Sequence, residues 1–330
     1  MSTTTRPDIA AAPEALTLID GHDAPLVRVS AAADPPATAH IRVGTDAEGT
    51  LACADARTFD VLLTSRGDAP APWVTVADPE RAAQRLVVAA ERNPLASLTL
   101  TRLLRLNEGR RHGDALLIES FAYSTLLKGG EFGRWRRSHP PAERGANSRP
   151  PLRFDRTHDH VTLTLDRPEH GNPHTAALRD ALSEALHIVA LDPTAPTVTL
   201  RATGKAFSTG GALDEFGQAE DMAAACYTRW TRSAARALLD LGDRADAVVQ
   251  GACIGAGIEI AAAASRLTAR GYAWFQLPEI GMGLIPGAGG TVTVPRRIGR
   301  HRMLYLCLSG RRITASTASR WGLVDAVVAE

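Results

Sequence analysis

Apolar positions recur along the chain with two periods, and the change between them divides it. Before residue 78 the apolar positions fall in short β-like runs, Leu26–Val29, His40–Val43, Phe59–Thr64 and Trp73–Val76, separated by Ala/Pro/Asp/Gly stretches. Residues 78–137 carry a helical period. Asp78 is placed to cap, Pro79 suits the first helical position, and Ala82, Leu86 and Ala90 share a face. Asn93-Pro94 breaks that helix and starts a second with Leu100, Leu103 and Leu104. A third is expected over Asp114–Leu127, with Leu117, Phe121 and Tyr123–Ser124 at helical spacing and Gly129-Gly130 as its stop.

The segment Ser138–Pro151, SHPPAERGANSRPP, has no apolar period and reads as a linker. Beyond it strands and helices alternate: a strand at Val161–Leu165, a helix over Asn172–Val189, strands at Thr197–Ala202 and Ala247–Gln250, and a helix opening at Gly257. The fold class is therefore α/β. The expected organisation is a poorly defined segment 1–77, a helical packing or oligomerisation unit 78–137, a linker 138–151 and a core 152–330.

Composition narrows the functions. Among 330 residues, 37 basic side chains meet 36 acidic ones, so bulk charge does not draw the chain to nucleic acid. The four cysteines form no CxxC pair, and the ten histidines no metal-ligand pattern; His158-x-His160 reads as exposed. The most apolar stretch, near 247–265, contains Gln250 and Glu259, which argues against a membrane span. The first residues lack a secretory pattern, so the expectation is a cytoplasmic protein.

Three segments carry candidate chemistry. Gly204–Leu213 (GKAFSTGGAL) is a small-residue loop directly after a strand, where backbone N–H groups are free to meet a ligand oxygen. Gln250–Ala261 (QGACIGAGIEIA) leads through a glycine turn to a helix start, at the positive end of the helix dipole. Glu259 is the only charge between Asp246 and Arg266, and a carboxylate in apolar surroundings is costly unless paired or used. Leu277–Thr291 (LPEIGMGLIPGAGGT) adds a second carboxylate, Glu279, in a rigid Gly/Pro loop; two such groups suit acid/base work on an activated carbon.

In this order the segments resemble the crotonase superfamily, the enoyl-CoA hydratases and isomerases, over about residues 152–328. VTLTLDRPEHGNPHTAALRDAL resembles the family's opening, AFSTGGALDEF and GACIGAGIEIAAAAS its two oxyanion loops, and QLPEIGMGLIPGAGGTVTVPRRIG its acidic loop. The resemblance implies a spiral core of repeated ββα units that binds an acyl-CoA thioester. It implies that the backbone N–H groups of Gly211 and Ala256 form an oxyanion hole and that Glu259 and Glu279 are the acid/base pair. It further implies substrate contacts at Phe207, Gly210, Gly211, Ala212, Leu213, Gly255, Ala256, Pro278 and Gly287. No metal and no cofactor beyond the substrate's own coenzyme A is called for. Met222, Tyr227 and Trp230 are candidates for the acyl pocket, core packing being the other reading.

Departures from the family pattern are Ser265 and Asp246, where an aspartate and a proline are common, and a chain that stops at Glu330 where the family's trimer-building helices would follow. The stretch 78–137, especially NPLASLTLTRLLR and LLIESFAYSTLLKGGEFGRWRR, resembles that helical tail. The expectation is a rearranged crotonase, either circularly permuted or an eroded tandem copy, that hydrates a 2-enoyl-CoA in fatty acid metabolism as a homo-oligomer, trimer or hexamer. Isomerisation or other thioester-enolate chemistry, and a non-catalytic acyl-CoA-binding role, are the alternatives.

Overall fold

The computed structural model describes residues 25–32, 41–53, 55–141 and 149–329. The four early runs become β1 (Leu26–Ser30), β2 (Ile41–Asp46), β3 (Val61–Thr64) and β4 (Val74–Thr75), a sheet in chain order with every pair parallel. The segment read as poorly defined thus contains an ordered sheet. His40 lies outside the described residues, and Phe59, Trp73 and Val76 lie outside the strands.

Helices α1 (Pro79–Arg92), α2 (Pro94–Leu106) and α3 (His112–Leu127) follow. Asp78 caps α1 through a 2.9 Å bond from the Arg81 N–H, satisfying one of the helix's unpaired donors. α3 ends at Leu127, before Gly129-Gly130 as expected, and the same pair starts a fourth helix that was not expected, α4 (Gly130–Ser138). Its Glu131 carboxylate accepts from the N–H groups of Leu95 and Ala96 at 2.7 and 2.9 Å, capping α2 from a distance of 35 residues in sequence. Phe121, expected inside, is exposed; α3 buries Leu116, Glu119, Ser120, Tyr123 and Leu127 instead. Half of the expected linker, residues 142–148, lies outside the described residues, and its first residue, Ser138, ends α4.

The remaining chain winds as a spiral. β5 (Leu152–Thr157) and β6 (His160–Leu165) pair antiparallel; α5 (Ala176–Leu191) then leads to β7 (Thr197–Ala202). After α6 (Met222–Thr231) and α7 (Ala234–Leu241) come two ββα turns. The first is β8 (Ala245–Val249), β9 (Ala252–Ile254) and α8 (Ala256–Ala261). The second is β10 (Arg266–Arg270), β11 (Trp274–Gln276) and α9 (Gly290–Ser309), which is interrupted at Gly299. The chain closes with β12 (Ile313–Thr314), α10 (Ala315–Trp321) and β13 (Ala326–Val328). The large sheet has the order β13-β10-β8-β7-β6-β5 and the small one β12-β11-β9. In each ββα turn the first strand extends the large sheet and the second joins the small one.

The two halves share one hydrophobic core. Helices α1, α2 and α3 pack on α9, and the β3–β4 region meets the second part of α9. There Arg300 donates to the carbonyls of Phe59 (2.7 Å) and Arg57 (2.8 Å), and Arg302 to those of Trp73 (3.0 Å) and Ala69 (3.1 Å). Buried Asp60 pairs with Arg105 of α2 at 2.7 Å and with Arg300 at 3.5 Å. Buried cations that find carbonyl and carboxylate partners fix the register of one half on the other.

Candidate active site

Two strand ends place two backbone donors on one cavity. After β7 the chain turns through Gly210, whose φ of +94° suits glycine and whose added Cβ would lie 2.9 Å from the Ile254 carbonyl oxygen. The next N–H, that of Gly211, follows this turn. After β9 the chain turns at Gly255 (φ +48°), and the Ala256 N–H opens α8. Neither N–H donates to an acceptor among the described residues. Both residues line a cavity of about 590 Å³ with Glu259 and Glu279. Two unused, fixed N–H dipoles are the arrangement that holds a developing oxyanion.

The carboxylates stand beside this pair. A Cβ on Gly255 would fall 2.5 Å from Glu279 Oε1 and 3.8 Å from Glu259 Oε1, so both oxygens border the space that glycine leaves open. Glu259 is buried on α8, and its Oε2 accepts from the N–H groups of Ala288 (2.7 Å) and Gly290 (2.9 Å). Glu279 is 8% exposed, and its Oε2 is buried with no hydrogen-bond partner among the described residues. Burial raises the Glu279 carboxyl to about 8, with the charge of Glu119 adding to the effect. Burial, then the charges of Glu279 and Glu119, push Glu259 well up too. The N–H groups of Ala288 and Gly290 favour the charged form of Glu259 against that rise.

A third carboxylate completes the group. Glu119, on α3, accepts from the Gly289 N–H at 2.7 Å through one oxygen. Its other oxygen accepts from the Thr291 N–H at 2.9 Å and the Thr291 hydroxyl at 2.6 Å. Burial raises it to about 7 despite those bonds. Alternate N–H groups of the acidic loop are therefore held by carboxylates from opposite sides, Glu259 from α8 and Glu119 from the N-terminal half. Sequence reasoning passed over Glu119, although it is the only charge between Asp114 and Lys128, the same signal that marks Glu259.

Of the expected substrate contacts, Gly210, Gly211, Ala212, Leu213, Gly255, Ala256, Pro278 and Gly287 all line the cavity. Phe207 does not: it is 1% exposed and packs behind the site near Leu178 and Leu182 of α5. Met222 lines the cavity, but Tyr227 is exposed and Trp230 packs near Ala115 and Leu116, donating to the Gly113 carbonyl at 3.1 Å. Sequence reasoning also missed Tyr123, His174 and Arg229 in the wall. Burial holds the His174 imidazole down at about 4, so it is neutral near pH 7 and takes no part as a cation. Among the described residues no cluster of His, Cys, Asp and Glu could hold a metal ion, and no helix is long and apolar enough to cross a membrane.

A family model for enoyl-CoA hydratase/isomerase matches residues 157–330. The Bacillus subtilis protein YngF is 36% identical over 180 residues, covering 53% of this chain and 68% of its own. Two Escherichia coli enzymes are similar as well. The 1,2-epoxyphenylacetyl-CoA isomerase is 33% identical over 51% of this chain and 66% of its own, and the 2,3-dehydroadipyl-CoA hydratase 34% identical over 51% and 65%. The chain thus spans just under two thirds of these two relatives. The crystal structure of enoyl-CoA hydratase from Mycobacterium smegmatis superposes with a TM-score of 0.50 at 32% identity, covering 55% of this chain and 71% of the other.

Proposed function

The chain belongs to the enoyl-CoA hydratase/isomerase family, and we propose that within it this protein adds water across the double bond of a 2-enoyl-CoA. One observation carries the reading: two buried carboxylates border the same space beside two unused N–H groups. The names of the relatives include both an isomerase and a hydratase, so the family alone leaves the reaction open.

In the proposed reaction the thioester carbonyl oxygen lies between the N–H groups of Gly211 and Ala256. Ionised Glu259 takes a proton from water as the water oxygen bonds to C3. The double-bond electrons move to the carbonyl oxygen as an enolate, which the two N–H groups stabilise; one such donor contributes about 3 kcal/mol. The carbonyl re-forms as C2 takes the proton of Glu279. Each addition leaves Glu259 protonated and Glu279 ionised, and transfer of one proton between them restores the starting state. Glu279 suits the donor role because its carboxyl holds its proton up to about pH 8. Glu119 touches no reacting atom; it positions the acidic loop whose other N–H groups hold Glu259.

The test is loss of the conjugated thioester absorbance when the protein is mixed with 2-enoyl-CoAs of several chain lengths. Decay to a 3-hydroxyacyl-CoA supports the reading, and no decay with any of them counts against it.

A further inference from the structure

Among the described residues, one cation of the cavity wall has no carboxylate partner. Arg179 and Arg232 also line the cavity, but both are tied to Asp180, at 2.9 and 3.0 Å. Arg229, on α6, has no carboxylate within 4.0 Å among the described residues. Its Nη1 instead donates to the hydroxyls of Ser124 (2.9 Å) and Ser120 (3.1 Å), and its guanidinium carbon lies 4.6 Å from the centre of the Tyr123 ring. The Tyr123 hydroxyl makes no hydrogen bond with the described residues either. Glu119 is the nearest candidate partner by charge, but its oxygens are committed to Gly289 and Thr291.

A guanidinium held half-buried against an aromatic ring, met by two hydroxyls and by the Ser120 carbonyl at 3.5 Å, has no charge to balance its own. Its planar fork matches a carboxylate with two parallel hydrogen bonds. The Tyr123 ring beneath it also packs against Gly287 of the acidic loop, which places the guanidinium one ring away from the carboxylates' loop. Arg229, Tyr123 and the N–H pair of Gly211 and Ala256 all line the one cavity.

We propose that Arg229 sets the substrate class: the acyl chain ends in a carboxylate that pairs with its guanidinium, beside the Tyr123 hydroxyl. The substrate would be the monothioester of an unsaturated dicarboxylic acid. This rests on the reading that the cavity takes an acyl-CoA.

The experiment is calorimetric titration of the whole protein with adipyl-CoA and hexanoyl-CoA, which differ only in the terminal carboxylate, and with the shorter pair glutaryl-CoA and pentanoyl-CoA. The proposal expects adipyl-CoA or glutaryl-CoA to bind at least ~10-fold tighter than its partner, as one charge-assisted pair allows. Arg229→Met should abolish that preference, and Arg229→Lys should keep part of it. Equal affinity within both pairs for the unaltered protein overturns the proposal and leaves the acyl-CoA reading standing. An equal loss for both members of a pair in Arg229→Met, together with a lowered melting temperature, also overturns it, since that is the mark of a residue that merely ties α6 to α3. Failure of all four ligands to bind overturns both readings together. Should Arg229→Met not fold, the two pairs measured on the unaltered protein still decide.

Discussion

Asp46 and Glu279 are both 8% exposed, and both sit near the end of a parallel strand, yet their acidities move in opposite directions. Asp46, at the end of β2, accepts from the N–H groups of Thr50 (3.1 Å) and Leu51 (2.9 Å) and from the Thr64 hydroxyl (2.7 Å). Burial raises its carboxyl, but these bonds together outweigh burial and hold it below its ordinary range. Glu279, just after β11, has an oxygen with no protein partner and rises to about 8. Equal surface exposure therefore does not fix a carboxyl's acidity; how deeply it is desolvated and how many donors reach it do, and Glu119, with three donors, still rises to about 7. The N-terminal sheet spends its carboxylate on closing its own turn. The C-terminal spiral leaves one of its carboxylates unsatisfied beside an open cavity.

The strongest way to break this contrast is to separate the halves. A chain beginning at Pro151 would expose the face of α9 that α1, α2 and α3 now cover. It should be insoluble or aggregated, because a large apolar patch drives association, and residues 78–137 supplied as a second chain should partly rescue it. A monodisperse, active 151–330 fragment by size-exclusion chromatography would make the N-terminal half an independent module.

Within the intact chain, Glu259→Gln and Glu279→Gln should each lower turnover at least ~100-fold with little change in acyl-CoA affinity, the usual range for acid/base groups. Asp46→Ala should leave turnover unchanged and cost about 1–3 kcal/mol of stability in denaturant titration, since it strands buried donors. A large loss of turnover in Asp46→Ala, or near-normal turnover in both glutamate variants, would reverse the assignment of roles.

A smaller effect follows from pH. The Glu279 carboxyl has its folded value raised from 4.5 to about 8, so the folded state holds a proton that the unfolded chain releases. Its contribution to stability is fully present below about 4.5 and is lost as pH rises through about 8. Glu119, raised to about 7, acts in the same direction over a narrower range. Glu279→Gln should flatten the decline in melting temperature between pH 5 and 8, and Glu119→Gln should flatten it less. An unchanged slope in both variants would show that these carboxyls are not proton reservoirs of the fold.

What the sequence shows plainly is what depends on local rules. β7 spans Thr197–Ala202 as its alternation predicts, Asp78 caps α1, and the glycine turns bring Gly211, Ala256, Glu259 and Glu279 together. What it hides depends on distant partners. α4 has no apolar period of its own and is anchored by Glu131 on α2. The helix expected from Asn172 starts at Ala176, because Asn172 has a left-handed φ of +51° and its side chain pins the Arg167, Thr203 and Ala206 backbone instead. Phe121 falls outside because α3 is gripped by α2, α4, α6, α7 and α9 together, so a single-face reading of its pattern misplaces the buried stripe. Arg229 carried no local signal: a half-exposed arginine on a short helix is ordinary until its neighbours prove to be Ser120, Ser124 and Tyr123.

Addition of water to an enoyl thioester by the Glu259/Glu279 pair can be followed by turnover in ¹⁸O-labelled water. 2-Enoyl-CoAs with methyl and with carboxylate ends would be incubated with the protein and the products weighed by mass spectrometry. Hydration gives a 3-hydroxyacyl-CoA carrying one labelled oxygen at C3, absent with Glu259→Gln. A shifted double bond with no oxygen gained, or release of free coenzyme A, would contradict it.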